Sequence, residues 1–161
     1  DNGEESTEKM VRGWVKNLAA EPFPDDTKLL EAIAAGQCEV GIANTYYFGR
    51  LQKDKPDIAV KIFWPNQAEG QGGVHVNIAG AGVTAHAPHR DEAIKLLEWL
   101  ASAQAQNLFA DANMEYPVNR DVKPALSVSA WGDFKPSMTN ISKAGELQAK
   151  AVQLMDRTGY R

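Results

Sequence analysis
The chain has 161 residues, with 17 Lys and Arg against 21 Asp and Glu and a formal charge of −4. Mild acidity without a Lys/Arg block speaks against a nucleic-acid binder. No apolar run approaches the ~20 residues that a membrane-spanning helix needs, and the single cysteine, Cys38, leaves no intramolecular disulfide and no CxxC zinc site. Apolar residues at 43% and charged residues at 24% are ordinary for a globular chain, and the length suits one domain or pieces of two small lobes.

The sequence opens Asp1-Asn2-Gly3-Glu4, without Met and without a leader pattern, as expected of a processed product or of part of a longer chain. Residues 3–19 read as an amphipathic helix, because Met10, Val11, Trp14, Val15 and Leu18 recur at helical spacing. Asn2 followed by Glu5 suggests a capping box, and Glu4, Glu5 and Glu8 sit where the helix dipole favours solvated anions. Pro22 and Pro24 break the pattern. A second helix is expected over about 27–35, capped by Asp25 or Asp26 and stopped by Gly36. Residues 39–43 read as a short buried strand, after which Asn44-Thr45 caps a third helix through Tyr46, Tyr47, Phe48 and Leu51. Strand patterns follow over 58–64 and 74–84, separated by a turn at Gly70, Gly72 and Gly73. One long helix is predicted over 90–112, then a polar irregular stretch over 113–123 and a final helix over about 142–157. Alternating strands and helices imply an α/β architecture.

The stretch with chemical content is Gly41-Ile42-Ala43-Asn44-Thr45-Tyr46-Tyr47-Phe48-Gly49-Arg50-Leu51. It places two adjacent tyrosines at a strand-to-helix turn, where α/β proteins bind ligands and where a helix N-terminus can hold an anion. A phenol titrates near pH ~10 in water, and a hard, highly charged cation favours its phenolate. Two phenolates suit ferric iron, whereas zinc or copper(I) prefers His or Cys. Most Tyr-Tyr pairs, however, are half-buried aromatics packing a helix start, so the pair alone leaves both readings open.

Three motifs extend the picture. Residues 35–51, the run His75-Val76-Asn77-Ile78-Ala79-Gly80-Ala81-Gly82-Val83, and the run Ala93-Ile94-Lys95-Leu96-Leu97-Glu98-Trp99-Leu100, followed by Ala105-Gln106 and Glu115-Tyr116-Pro117-Val118-Asn119, lie in one register. Together they resemble bacterial ferric-ion-binding proteins, the periplasmic substrate-binding components of Fe(III) ABC transporters. The resemblance implies an α/β, type 2 periplasmic binding protein fold, a two-lobe clamshell of which this chain looks like the C-terminal half. On that basis residues 1–76 begin the C-terminal lobe, 77–126 cross back to complete the N-terminal lobe, and 127–161 close the C-terminal lobe. It also implies that Tyr46 and Tyr47 are the metal ligands. Asn44 then matches a position that in some members contacts a synergistic anion, phosphate or carbonate. Further implications are a permease of the inner membrane as partner, a periplasmic location, a monomer when full length, and no enzymatic step.

The other residues carry less. His75, His86 and His89 fit no metal-site spacing, with HAPH matching neither HExxH nor a zinc-finger pair. The glycine groups at 70–73 and 80–82 lack the third glycine of a dinucleotide loop and a following P-loop lysine, and read as turns, the second near a hinge. Cys38 reads as a small apolar residue with no His partner, and Tyr116 as an inter-lobe packing residue. The rival reading from the same residues is a binding protein for an organic solute such as a polyamine, a thiamine-like compound or a sugar phosphate, with the tyrosines stacking or hydrogen-bonding.

Overall fold
A computed structural model describes residues 2–160. Seven helices follow in order: α1 (Glu4–Lys16), α2 (Asp26–Ala34), α3 (Thr45–Asp54), α4 (Arg90–Leu100), α5 (Ala103–Asn113), α6 (Leu126–Ser129) and α7 (Ser142–Thr158). They meet as three pairs, α1 with α7, α2 with α3, and α4 with α5.

The first pair joins the two ends of the chain. Val11 of α1 and Leu154 of α7 are buried, and the rim is an ion-pair network in which Arg157 donates to Glu4 at 2.7 Å and to Glu8 at 2.8 Å while Arg12 donates to Glu8 at 2.7 Å. The glutamates are therefore cross-helix partners rather than solvated dipole charges alone. The expected Asn2 capping box does not form: Gly3 is the N-cap, with φ 77° and no side-chain cap, and Thr7 Oγ1 donates to the Gly3 carbonyl at 2.7 Å. The positive φ that glycine permits places the N-cap one residue beyond Asn2.

The second pair carries the hydrophobic core. Leu30, Phe48 and Leu51 are buried, with Ala43, Tyr47, Ile58, Val60, Ile62 and Trp131 packed around them. The three predicted strands do not form ladders. Among the described residues the only β pairing is an isolated parallel bridge between Val74 and Pro136. A strand needs a neighbour with which to exchange backbone hydrogen bonds, and apart from Val74 these extended segments lack one. The stretch 39–43, expected to be buried, is open: Val40 and Ile42 are 80% and 73% exposed and Ala43 turns inward, whereas 58–64 keeps period two, with Ile58, Val60 and Ile62 inward and Phe63 80% exposed. Gly41 lies so close to α2 that a Cβ would meet the Leu29 and Ile33 side chains at 2.8–2.9 Å.

The long helix expected over 90–112 is two. Helix α4 ends at Leu100, and Ser102 caps α5 by accepting from the Ala105 N–H at 3.3 Å. A serine oxygen competes for the helix's own donors and so favours a new start. Gln106 then closes the break, its Nε2 donating to the Leu100 carbonyl at 2.8 Å and its Oε1 accepting from Val118 N–H at 2.8 Å. Helix α5 ends at Met114, which is left-handed at φ 58° and buried. There it meets Gly49 in the middle of α3, where a Cβ would fall 2.8 Å from Met114 Cβ and 2.9 Å from the Trp131 ring. The turn over 66–73 is clasped to 135–137. Lys135 N–H donates to Gln67 Oε1 at 2.6 Å, Val74 N–H to the Lys135 carbonyl at 2.9 Å, and Ser137 N–H to the Val74 carbonyl at 2.7 Å.

Candidate metal centre
Two aspartates in a row divide the work at the start of α2. Asp25 accepts from the Lys28 N–H at 2.9 Å and is the cap. Asp26, the first helical residue, turns instead to the start of α3, where its Oδ2 accepts from the Asn44 main-chain N–H at 2.9 Å and from Asn44 Nδ2 at 3.2 Å. Asn44 occupies the N-cap position of α3 without a side-chain cap bond. Its Oδ1 accepts from Asn77 Nδ2 at 3.3 Å. The sequence reading foresaw neither Asp26 nor Asn77 here. The available signal was the doublet itself, since a helix start employs one capping carboxylate and leaves the second for another partner.

Tyr46 and Tyr47 open the first turn of α3, both half-buried. Their ring centroids lie 4.4 Å apart at an interplanar angle of 36°, and the Arg50 guanidinium carbon sits 5.2 Å from the Tyr46 ring centroid, within cation–π range. The Tyr46 hydroxyl is pushed above the ordinary phenol value. Hydrogen bonding with Tyr47 contributes most, followed by partial burial and by the charges of Tyr47 and Asp26, while Arg50 opposes them. Tyr46 is thus neutral at physiological pH, and an arriving cation must displace its proton. The chemistry available is ligation by two adjacent hard oxygen donors on one rigid helix.

The structure brings Asn44, Tyr46 and Tyr47 together and leaves the other candidates apart. His75, His86 and His89 are all exposed, and the described residues hold no group of three or more His, Cys, Asp and Glu able to bind a metal. Tyr116 packs edge-on against Trp131 and Phe134, at centroid distances of 6.2 and 5.4 Å. Burial, and secondarily the Asp133 charge, raise its hydroxyl above the ordinary value. Cys38 is half-buried and free.

Residues 1–136 match the family model of bacterial extracellular solute-binding proteins, and the chain belongs to that family. Its fold is that of the type 2 periplasmic binding proteins. It is 43% identical to iron uptake protein A2 of Synechocystis over 166 aligned positions, which cover 99% of this chain and 48% of that protein. It superposes on the Trichodesmium FutA (IdiA) structure in complex with iron and citrate with a TM-score of 0.90 at 42% identity, covering 98% of this chain and 51% of that one. Apo FutA2 from Synechocystis gives a TM-score of 0.92 at 42% identity, over 99% and 52% of the two chains. The chain thus spans about half the length of the relatives it matches. Among the described residues no helix is long and apolar enough to cross a membrane.

Proposed function
We propose that the protein carrying this chain binds ferric iron through the phenolates of Tyr46 and Tyr47 and delivers it, from the periplasm, to the permease of an ABC importer. The observation that supports this reading is the pair itself: two tyrosine rings lie 4.4 Å apart at the start of a packed helix, in a chain whose relatives include an iron uptake protein and a structure with iron bound. Residues 1–76 and 127–161 form one lobe and 77–126 contribute to the other, an arrangement supported by the pairing of α1 with α7 and of α4 with α5. No covalent chemistry is involved. The ion is bound, enclosed between lobes and released, so the protein is a carrier rather than an enzyme. A synergistic anion, phosphate or carbonate, completes the shell near Asn44. Of the three N–H donors of this residue, Asp26 engages two, so the anion meets the third.

Phenolate bound to Fe(III) absorbs in the visible, and loading displaces the Tyr46 proton, so affinity falls as pH falls. The iron-loaded full-length protein is expected to be coloured, and the Tyr46→Phe, Tyr47→Phe double variant to be colourless with iron affinity reduced by about 100-fold or more, as loss of two anionic ligands demands. A double variant that keeps colour and affinity overturns the assignment. Solute binding that persists unchanged in strong chelator favours an organic ligand instead.

A further inference from the structure
At the N-cap of α3 the Asn44 side chain makes no cap bond to its own helix. Its main-chain N–H and one amide hydrogen go to a single oxygen of Asp26, at 2.9 and 3.2 Å, and its carbonyl oxygen takes a hydrogen from Asn77 at 3.3 Å. Asp26 is half-buried and rooted in the first turn of α2, the helix that packs against α3. An ionised acceptor makes such bonds roughly twice as strong as a neutral one. The residue immediately before the first turn of the tyrosine helix is therefore held by a charge from a second helix and by an amide from the segment beginning at Val74.

We infer that Asp26 is a positioning residue for the tyrosine pair, clamping the start of α3 through Asn44 and tying that clamp, through Asn77, to the segment that follows the turn at 66–73. The inference rests on the ferric reading for its functional meaning and on the hydrogen bonds alone for its structural one. Asp26 touches no iron; it fixes the direction from which Tyr46 and Tyr47 present their oxygens. Replacing it by Asn keeps an acceptor oxygen in the same place, whereas Ala removes it.

The test is made on the full-length protein with ferric ion supplied as its nitrilotriacetate complex. Three quantities are read: the position of the visible band, the iron affinity, and hydrogen exchange of the Asn44 amide in iron-free protein. Asp26→Ala is expected to move the band, weaken iron binding about tenfold, in line with an indirect effect of losing its two charge-assisted hydrogen bonds to Asn44, and speed Asn44 exchange. Asp26→Asn is expected to keep the band in place and the affinity within about threefold. Should Asp26→Ala fail to fold, Asp26→Ser, too short to reach both donors, replaces it. An Asp26→Ala protein with the parent's band, affinity and exchange overturns the clamp, and so does an Asp26→Asn protein as damaged as Asp26→Ala. A parent protein without any visible band sinks the ferric reading; unchanged Asn44 exchange in Asp26→Ala then sinks the clamp independently, and accelerated exchange upholds it.

Discussion
The α2–α3 region and the α4–α5 pair are both two-helix units, yet they bury different things. Between α2 and α3 large side chains meet: Leu30, Phe48 and Leu51 are 5–6% exposed. Helix α4 has no buried residue, and α5 buries the small Ala105 and Ala110 while Leu96 and Leu108 remain 55% and 60% exposed. Apolar area removed from water is the main favourable term in folding. The tyrosines therefore stand on the part of the chain with its own hydrophobic support. The α4–α5 pair is held instead by the polar stitching of Ser102, Gln106 and Asn119 around its break, where Asn119 Nδ2 donates to the Ala101 carbonyl at 3.0 Å.

This contrast can be broken by measurement. Phe48→Ala is expected to cost about 3–5 kcal/mol in denaturant unfolding, the range for a buried aromatic; a cost near that of an exposed residue would place the core elsewhere. Gly49→Ala is expected to destabilise by about 1–3 kcal/mol through overpacking, even though alanine is the better helix former by about 1 kcal/mol, because its Cβ meets Met114 and Trp131. A stabilised Gly49→Ala protein would show that these neighbours yield. A smaller, local effect belongs to α1 and α7. Arg157 first and Arg12 second hold the Glu8 carboxyl below its ordinary value of 4.5. A depressed carboxyl contributes stability above its unfolded value and loses it as pH falls through the folded one. Amide exchange in α1 and α7 should therefore accelerate below about pH 4.5 while α2 and α3 hold, and Arg157→Gln should narrow the difference, Arg12 remaining on Glu8.

Helices were legible where apolar spacing and stop signals agreed. Gly36 does end α2's turn in the left-handed region, at φ 75°, and the final helix lies within a residue of its expected bounds. The break at Ser102 was not read, because Ala and Leu on both sides continue the helical period across it and a single serine is a weak signal against that pattern. Short α6 carries too few residues for any periodicity. The side chains keep the alternation over 58–64, but the burial expected over 39–43 is absent, with Val40 and Ile42 80% and 73% exposed, and a ladder is a property of two segments that no single segment encodes. At the candidate site the tyrosines and Asn44 could be named from one continuous motif. Asp26 and Asn77 could not, because they arrive from 18 positions before and 33 positions after Asn44, and their roles exist only once three segments converge.

Gly49 has a consequence for aim. It sits one turn beyond the tyrosines, and with no side chain of its own it lets Met114 and Trp131 press directly on the backbone of α3. Successive residues of an α-helix point about 100° apart, so fixing the azimuth at one residue fixes it for all. The notch at Gly49 works as a key that stops the helix from rolling about its axis. The heading of the two hydroxyls is thus decided behind the helix, by a methionine and a tryptophan pressed on Gly49. A substitution that let Met114 withdraw would swing both tyrosine hydroxyls together while leaving each tyrosine intact.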